Sequence, residues 1–199
     1  MILSVSRRTD IPSYWSDWFL RRIKEGFACV RNPMNPHQIS QISLSPEVVD
    51  CIVFWTKNPG PLAKRLDELD GYPYYFQYSL TGYGKDVESN LPDKKAVLIP
   101  LFQELSRKLG PKRVVWRYDP ILFSRRYSPD YHLRAFEEIA KRLEGCGERV
   151  VISFVDLYTK PRRGTTSLEL LPPPSDEELL EFAGKLAGLA QRHGFIVET

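Results

Sequence analysis

The run Arg7, Arg8, Thr9, Asp10 follows directly on a short apolar stretch and precedes a helix start. Packing alone seldom places such a cluster at a strand end, because a buried charge without a partner is costly. Polar groups recur where other apolar runs stop: Thr56, Lys57 and Asn58; Gln77, Ser79 and Thr81; Arg117 and Asp119; Ser153 and Asp156; and Glu198. Arg8, Lys57 and Arg117 together would make a positive pocket for phosphate or carboxylate, with arginine offering a bidentate fork. Arg7, Thr9, Asn58, Gln77, Ser79, Thr81 and Ser153 complete the predicted binding set. Asp10, Asp119 and Asp156 are the candidates for general acid or base, or for holding a divalent cation through oxygen. The pairs Arg8–Asp10 and Arg117–Asp119 also have a purely structural reading as ion pairs, and residue type does not choose between the two.

Other chemistries lack their signatures. The three histidines, His37, His132 and His193, form no HxH or HExxH spacing, so no histidine zinc site is expected, and His132 and His193 read as surface residues. Gly82–Tyr83–Gly84 is not GxGxxG, and neither GxxxxGK[ST] nor GxSxG occurs. Cys29, Cys51 and Cys146 lie far apart, which is neither a disulfide framework nor a CxxC site. The proline-rich loop over 31–38, with Arg31, Asn32, Asn35 and His37, reads as a rigid lid or as an ordinary surface loop.

The elements that must position these groups follow from periodicity. Strands are expected over 2–6, 50–56, 74–80, 114–118, 149–155 and 195–197, alternating with helices over 12–26, 60–69, 94–109, 129–143 and 175–192. Short extended pieces at 27–31 and 41–44 suggest an excursion outside the main sheet. Ser175 with Glu178 forms a capping-box pattern. Alternating β and α units imply a parallel sheet with right-handed crossovers. Within each strand the residues divide by parity. Ser4, Ser6 and Arg8 share one face; so do Trp55 and Lys57; Gln77, Ser79 and Thr81; and Arg117 and Asp119. A sheet buried on both faces would read as continuous Val, Ile and Leu. A second face carrying charge is better suited to a cavity. The expected fold is therefore α/β, an incomplete TIM-barrel-like (β/α) barrel of about six parallel strand–helix units, in a single domain over 1–199. An open doubly wound sheet is the alternative.

Composition sets the outer bounds. The chain has 199 residues, with 42% hydrophobic and 27% charged, which is globular. A net charge of +3 is too mild to mark a nucleic-acid footprint by itself. No apolar run of about 18 residues occurs, so no membrane span is expected. With no signal-peptide pattern and unpaired cysteines, a cytoplasmic location is expected.

The stretches SRRTDIP, VRNPMNPHQIS, LSPEVVDCIVFWTKNP, YYFQYSLTGYGKDVE and WRYDPI closely resemble the bacterial family called domain of unknown function 1848, in order along essentially the whole chain. Longer members look radical-S-adenosylmethionine-like and carry a cysteine-rich C-terminal tail beyond the position of Thr199. The resemblance thus implies an iron–sulfur cluster and S-adenosylmethionine only where such a segment is present. Without that segment the cofactor is left open. A last strand with no seventh unit would also leave an edge that missing sequence or a partner must cover.

Three functions compete. The first is an enzyme, or the barrel part of one, binding an anionic small molecule at the strand ends. The second is a nucleic-acid-binding or repair-associated module, in which Tyr72, Tyr74, Tyr75, Tyr78 and Tyr83 stack bases. The third is a non-catalytic scaffold docking a partner on its open edge.

Overall fold

The computed structural model describes residues 1–6, 9–32, 34–155 and 168–199. The fold is mixed α/β, with a six-stranded parallel sheet and a separate two-stranded ribbon. Residue contacts cluster in two compact units, Met1–Gln77 and Tyr78–Thr199.

In the first unit, β1 (Ile2–Val5) pairs in parallel with β4 (Cys51–Thr56), Ser4 opposite Val53 and Val5 opposite Phe54. The helix expected over 12–26 is two helices, α1 (Ile11–Tyr14) and α2 (Ser16–Glu25), broken where Trp15 leaves helical geometry at φ −133°. Ser16, Phe19, Leu20 and Ile23 form the buried stripe of α2. Gly26 ends it at φ 75°, its N–H donating to the carbonyls of Arg22 and Ile23. The excursion is real: β2 (Phe27–Arg31) and β3 (Ile39–Ser43) form an antiparallel ribbon outside the main sheet. The helix expected over 60–69 shrinks to α3 (Gly60–Ala63) and a 3-10 turn at Leu66–Leu69. Phe54 anchors the core here, 5.5 Å from Phe19 edge-on and 5.1 Å from Phe76 in a stack.

Strand β5 (Tyr74–Ser79) spans the boundary between the units. In the second unit, the helix expected over 94–109 begins as a π-helical turn at Lys94–Leu98 and becomes α4 (Ile99–Leu109). Pro100, which has no N–H to donate, follows just after this π-helical turn. Then follow β6 (Val114–Ile121), α5 (Pro129–Leu143), β7 (Arg149–Phe154), α6 (Asp176–Arg192) and β8 (Ile196–Glu198). The capping box at Ser175 and Glu178 is formed in both directions. Trp116 fills the core, stacked 4.7 Å from Phe136, with its indole N–H donating to the Leu80 carbonyl at 2.8 Å.

The strand order is β1-β4-β5-β6-β7-β8, with β6–β7 and β7–β8 both parallel. No closure of this sheet into a barrel is seen among the described residues. Burial follows parity. Ile52, Phe54, Phe76, Tyr78, Trp116, Tyr118, Val150 and Ile152 are buried, whereas Trp55, Gln77, Ser79, Arg117, Asp119 and Ser153 are half-buried or exposed. One face is packed along its length, while the other buries Val53 and Val115 early in β4 and β6 and carries polar side chains toward the strand ends.

Candidate functional site at the strand ends

Asp10 anchors the first unit's polar end. Its carboxylate caps α1, accepting from the Ser13 N–H at 3.0 Å. It also accepts from the Thr56 hydroxyl at 2.7 Å and the Lys57 N–H at 2.8 Å, so it clasps the end of β4 to the start of α1. Burial pushes the Asp10 carboxyl above its ordinary value, against the pull of these donors. Thr56 in turn accepts from the Asn58 N–H, and Asn58 accepts from the Gly60 N–H. Asn58 therefore shapes the turn into α3. Ser6, at the end of β1, has φ 99°, an uncommon conformation for a residue with a side chain, and its hydroxyl accepts from the Ile11 N–H at 3.1 Å. Thr9 is exposed and Lys57 half-buried. Arg7, Arg8 and Asp156 lie outside the described residues.

In the second unit, Thr81 is 2% exposed and turned inward. Its hydroxyl donates to Glu88 at 3.0 Å, and the Lys94 ammonium donates to Glu88 and to the carbonyls of Thr81 and Tyr83, each within 2.5–2.8 Å. The loop Gly82–Tyr83–Gly84 is fastened on every side. Tyr131 donates to the Gly82 carbonyl, Gly84 N–H donates to Tyr127, and the Tyr83 hydroxyl donates to the Pro120 carbonyl while accepting from the Leu122 N–H. Burial pushes the Tyr83 phenol well above its ordinary range. Of the five tyrosines offered for base stacking, Tyr78 and Tyr83 are buried, and Tyr72, Tyr74 and Tyr75 are half-buried. His132 is not on the surface as its helix position suggested. It is fully buried, because the polar face of α5 turns at that residue onto Tyr118 and the Leu122 carbonyl.

On β6, Arg117 and Asp119 form the ion pair that parity allows, side chains two apart on one face. The guanidinium Nε donates to both carboxylate oxygens, at 3.0 and 3.1 Å, and Nη2 donates to Oδ2. The side chains are 14% and 12% exposed. A β-bulge falls at this point. Tyr118 lies opposite Ile152 and Ile121 opposite Phe154, so Asp119 and Pro120 together face the single residue Ser153, which is exposed. Bulges re-aim side chains and are common beside active sites. Next to it, at the ends of β6 and β7, lies a cavity of about 460 Å³ lined by Phe123, Phe154, Leu171, Pro173 and Leu179, with Asp176 at its rim.

The predicted set is thus divided. Asp10, Thr56, Lys57 and Asn58 are joined by hydrogen bonds, Arg117 and Asp119 by an ion pair, and Ser153 stands opposite Asp119 and Pro120 in the strand register. Gln77 and Ser79 are half-buried on β5. Thr81 belongs to the separate Glu88–Lys94 network, and Glu198 pairs with Arg149 at 3.4 Å. The sequence reading missed Glu88, Lys94, Tyr127 and Asp86, whose carboxylate accepts from the Tyr127 hydroxyl at 2.5 Å. They sit in loops or at a helix start, where no periodicity points to a partner.

Cys29 is exposed on β2, Cys51 is half-buried on β4, and Cys146 lies in the second unit after α5. Among the described residues no group of His, Cys, Asp and Glu is assembled to hold a metal ion. These three cysteines do not make the donor set of an iron–sulfur cluster. No helix among the described residues is long and apolar enough to cross a membrane.

Neither the curated proteins nor the solved structures contain a match to this chain. The model of one family, described as a domain of unknown function (DUF1848), matches residues 2–199. The order of motifs and the extent of that match agree, and the chain belongs to this family.

Proposed function

We propose that the C-terminal ends of β6 and β7 bind an anionic small molecule, in an enzyme or in the barrel part of one. The observation that carries this reading is the bulge that sets Asp119 opposite the exposed Ser153, with Arg117 held in an ion pair to Asp119 on the same face. Asp119 holds the guanidinium plane fixed, which lowers the entropy lost when an anion is bound. Ser153 supplies a hydroxyl donor on the same face. Asp119 is the general acid or base within reach of a molecule held there. The barrel reading is supported by the strand order, which climbs from β1 to β8 with no reversal. Right-handed crossovers in such an order place successive helices on one face and leave the other for a site.

The test uses inorganic phosphate as probe. Thermal unfolding of the full chain is followed across a phosphate series, with chloride at matched ionic strength as the control. A bound anion raises the midpoint by mass action. Ser153→Glu adds a like charge at an exposed position and is expected to abolish the phosphate-dependent rise while leaving the chloride baseline intact. A wild-type midpoint equal in phosphate and chloride would overturn the reading.

A further inference from the structure

We propose that the C-terminal end of β4, with its neighbour β5, binds single-stranded nucleic acid, successive bases stacking on Trp55 and Tyr75 and Lys57 holding a phosphate. The residues concerned all lie within Met1–Gln77, so the site stands apart from the reading at β6 and β7.

The alignment of the two strands puts the rings together. β4 and β5 are neighbours in the sheet, Phe54 stacks on Phe76 at 5.1 Å, and the Ile52 N–H donates to the Pro73 carbonyl at 2.8 Å. Phe54 therefore stands beside Phe76, Val53 beside Tyr75, and Trp55 beside Gln77. Side chains alternate between the faces of a strand, so Val53, Trp55, Tyr75 and Gln77 share the face turned away from the Phe54–Phe76 core. Trp55 and Tyr75 are then diagonal neighbours, with backbones about 8 Å apart given the usual strand spacing and a step of two residues. Successive bases of an extended strand can match that spacing.

Burial along the strands fits a platform. Trp55 is 37% exposed, although Phe54 and Thr56 on either side of it are 0% and 4% exposed. Of the tyrosines of β5, Tyr78 is buried and Tyr74 serves the core, 6.0 Å from Phe54 and edge-on to Phe76 at 6.2 Å. Tyr75, half-buried, is the one on the face of Trp55. Every base has a π-face, so an indole and a phenol side by side accept bases of any identity. Sheets that present aromatic rings on an accessible face bind single strands in this way, with the bases splayed out of any duplex. The half-buried Gln77 carries an amide, which offers both a donor and an acceptor to a base edge. Lys57 follows two residues after Trp55, at the end of β4, and its ammonium is a point charge suited to a phosphate.

The experiment titrates a short fluorescein-labelled oligothymidylate with the full chain and follows anisotropy across a salt series. Binding is expected, with log affinity falling linearly against log salt. Trp55→Ala and Tyr75→Ala are each expected to weaken it at least about fivefold, the low end for losing one stacked base. Trp55→Phe keeps a ring and should retain most of the affinity. Trp18→Ala removes a ring on α2 that is 44% exposed and should change nothing. Lys57→Gln should reduce the salt slope by about 0.7, the value of one phosphate contact on a single strand. Circular dichroism and a cooperative thermal transition show that each variant is folded. No binding by wild type at low salt overturns the proposal, as does wild-type affinity in both Trp55→Ala and Tyr75→Ala. Should those two fail to fold, Lys57→Gln decides, and an unchanged slope overturns it. Thymidine monophosphate that displaces the oligomer at equal nucleotide concentration would overturn the strand in favour of a free nucleotide.

Discussion

The hydroxyl of Tyr118 donates to Nδ1 of His132 across 2.9 Å, and Nε2 of the same ring donates to the Leu122 carbonyl at 3.0 Å. A carbonyl can only accept, so Nε2 carries the hydrogen and Nδ1 is the acceptor. The ring is neutral and fully buried, and burial holds its pKa below the ordinary 6.5. Between those two values the unfolded chain binds more protons than the folded one. Stability is therefore complete above about 6.5 and falls as the pH drops, by up to about 1.4 kcal/mol per pH unit. Urea unfolding at neutral and mildly acid pH should show this slope. His132→Ala should lack it and cost about 2–4 kcal/mol, because it strands a buried hydroxyl and a carbonyl.

Asp10→Ala should cost about 2 kcal/mol, from a lost helix cap and from the Thr56 and Lys57 donors left without their acceptor. Asp10→Asn keeps one acceptor oxygen and should cost less. The Asp10 carboxyl lies above its ordinary 3.8 in the folded chain. Its charge-linked stability is thus present below that value and is lost as the pH rises through the folded pKa. The advantage of wild type over Asp10→Asn should shrink over this window in chemical denaturation. An advantage that grows with pH would contradict the assignment.

The Glu88–Lys94 pair has side chains only 7% and 21% exposed. Removing one member of such a pair leaves an uncompensated charge, so Lys94→Met should destabilise by about 3 kcal/mol. The double variant Glu88→Leu with Lys94→Met should recover much of that loss. A double-mutant cycle in urea decides it, and simple additivity would show that the pair is uncoupled.

Gly82 and Gly184 should respond oppositely to alanine. A Cβ on Gly82 would lie 2.7 Å from the Ala135 Cβ, so Gly82→Ala overpacks the loop and should cost about 1–3 kcal/mol. Gly184 sits exposed in the middle of α6 with nothing within 4 Å of its added Cβ. Gly184→Ala should stabilise by about 1 kcal/mol through helix propensity. Thermal midpoints of the two variants relative to wild type provide the check.

Much of the fold is legible in the linear chain. The contrast of buried Phe54 and Thr56 with exposed Trp55 marks the end of β4, and the same period separates buried Trp116 and Tyr118 from half-buried Arg117 and Asp119. The Ser175 capping box and the Gly26 stop are local chemistry, so their sequence signals were sufficient. Tertiary packing set the breaks within helices. Trp15 divides one amphipathic stretch in two, and only Gly60–Ala63 of the 60–69 stretch is α-helical.

The polar residues divide along the same line. Their types and strand-end positions were readable, because a charge at the end of an apolar run is a local fact. Their partners were not, because an ion pair or a hydrogen bond between distant residues leaves no periodic trace. Asp10 reached Thr56 across 46 positions and became a clasp. Thr81 turned inward to Glu88. Arg117 and Asp119 paired along one strand as parity allowed, but the register shift that sets Asp119 and Pro120 opposite Ser153 depends on how β6 meets β7. The sequence by itself determined which residues could do chemistry and on which face of each strand they stand. Tertiary structure decided which of them are held by one another, since burial and register are properties of the packed sheet and not of any one strand.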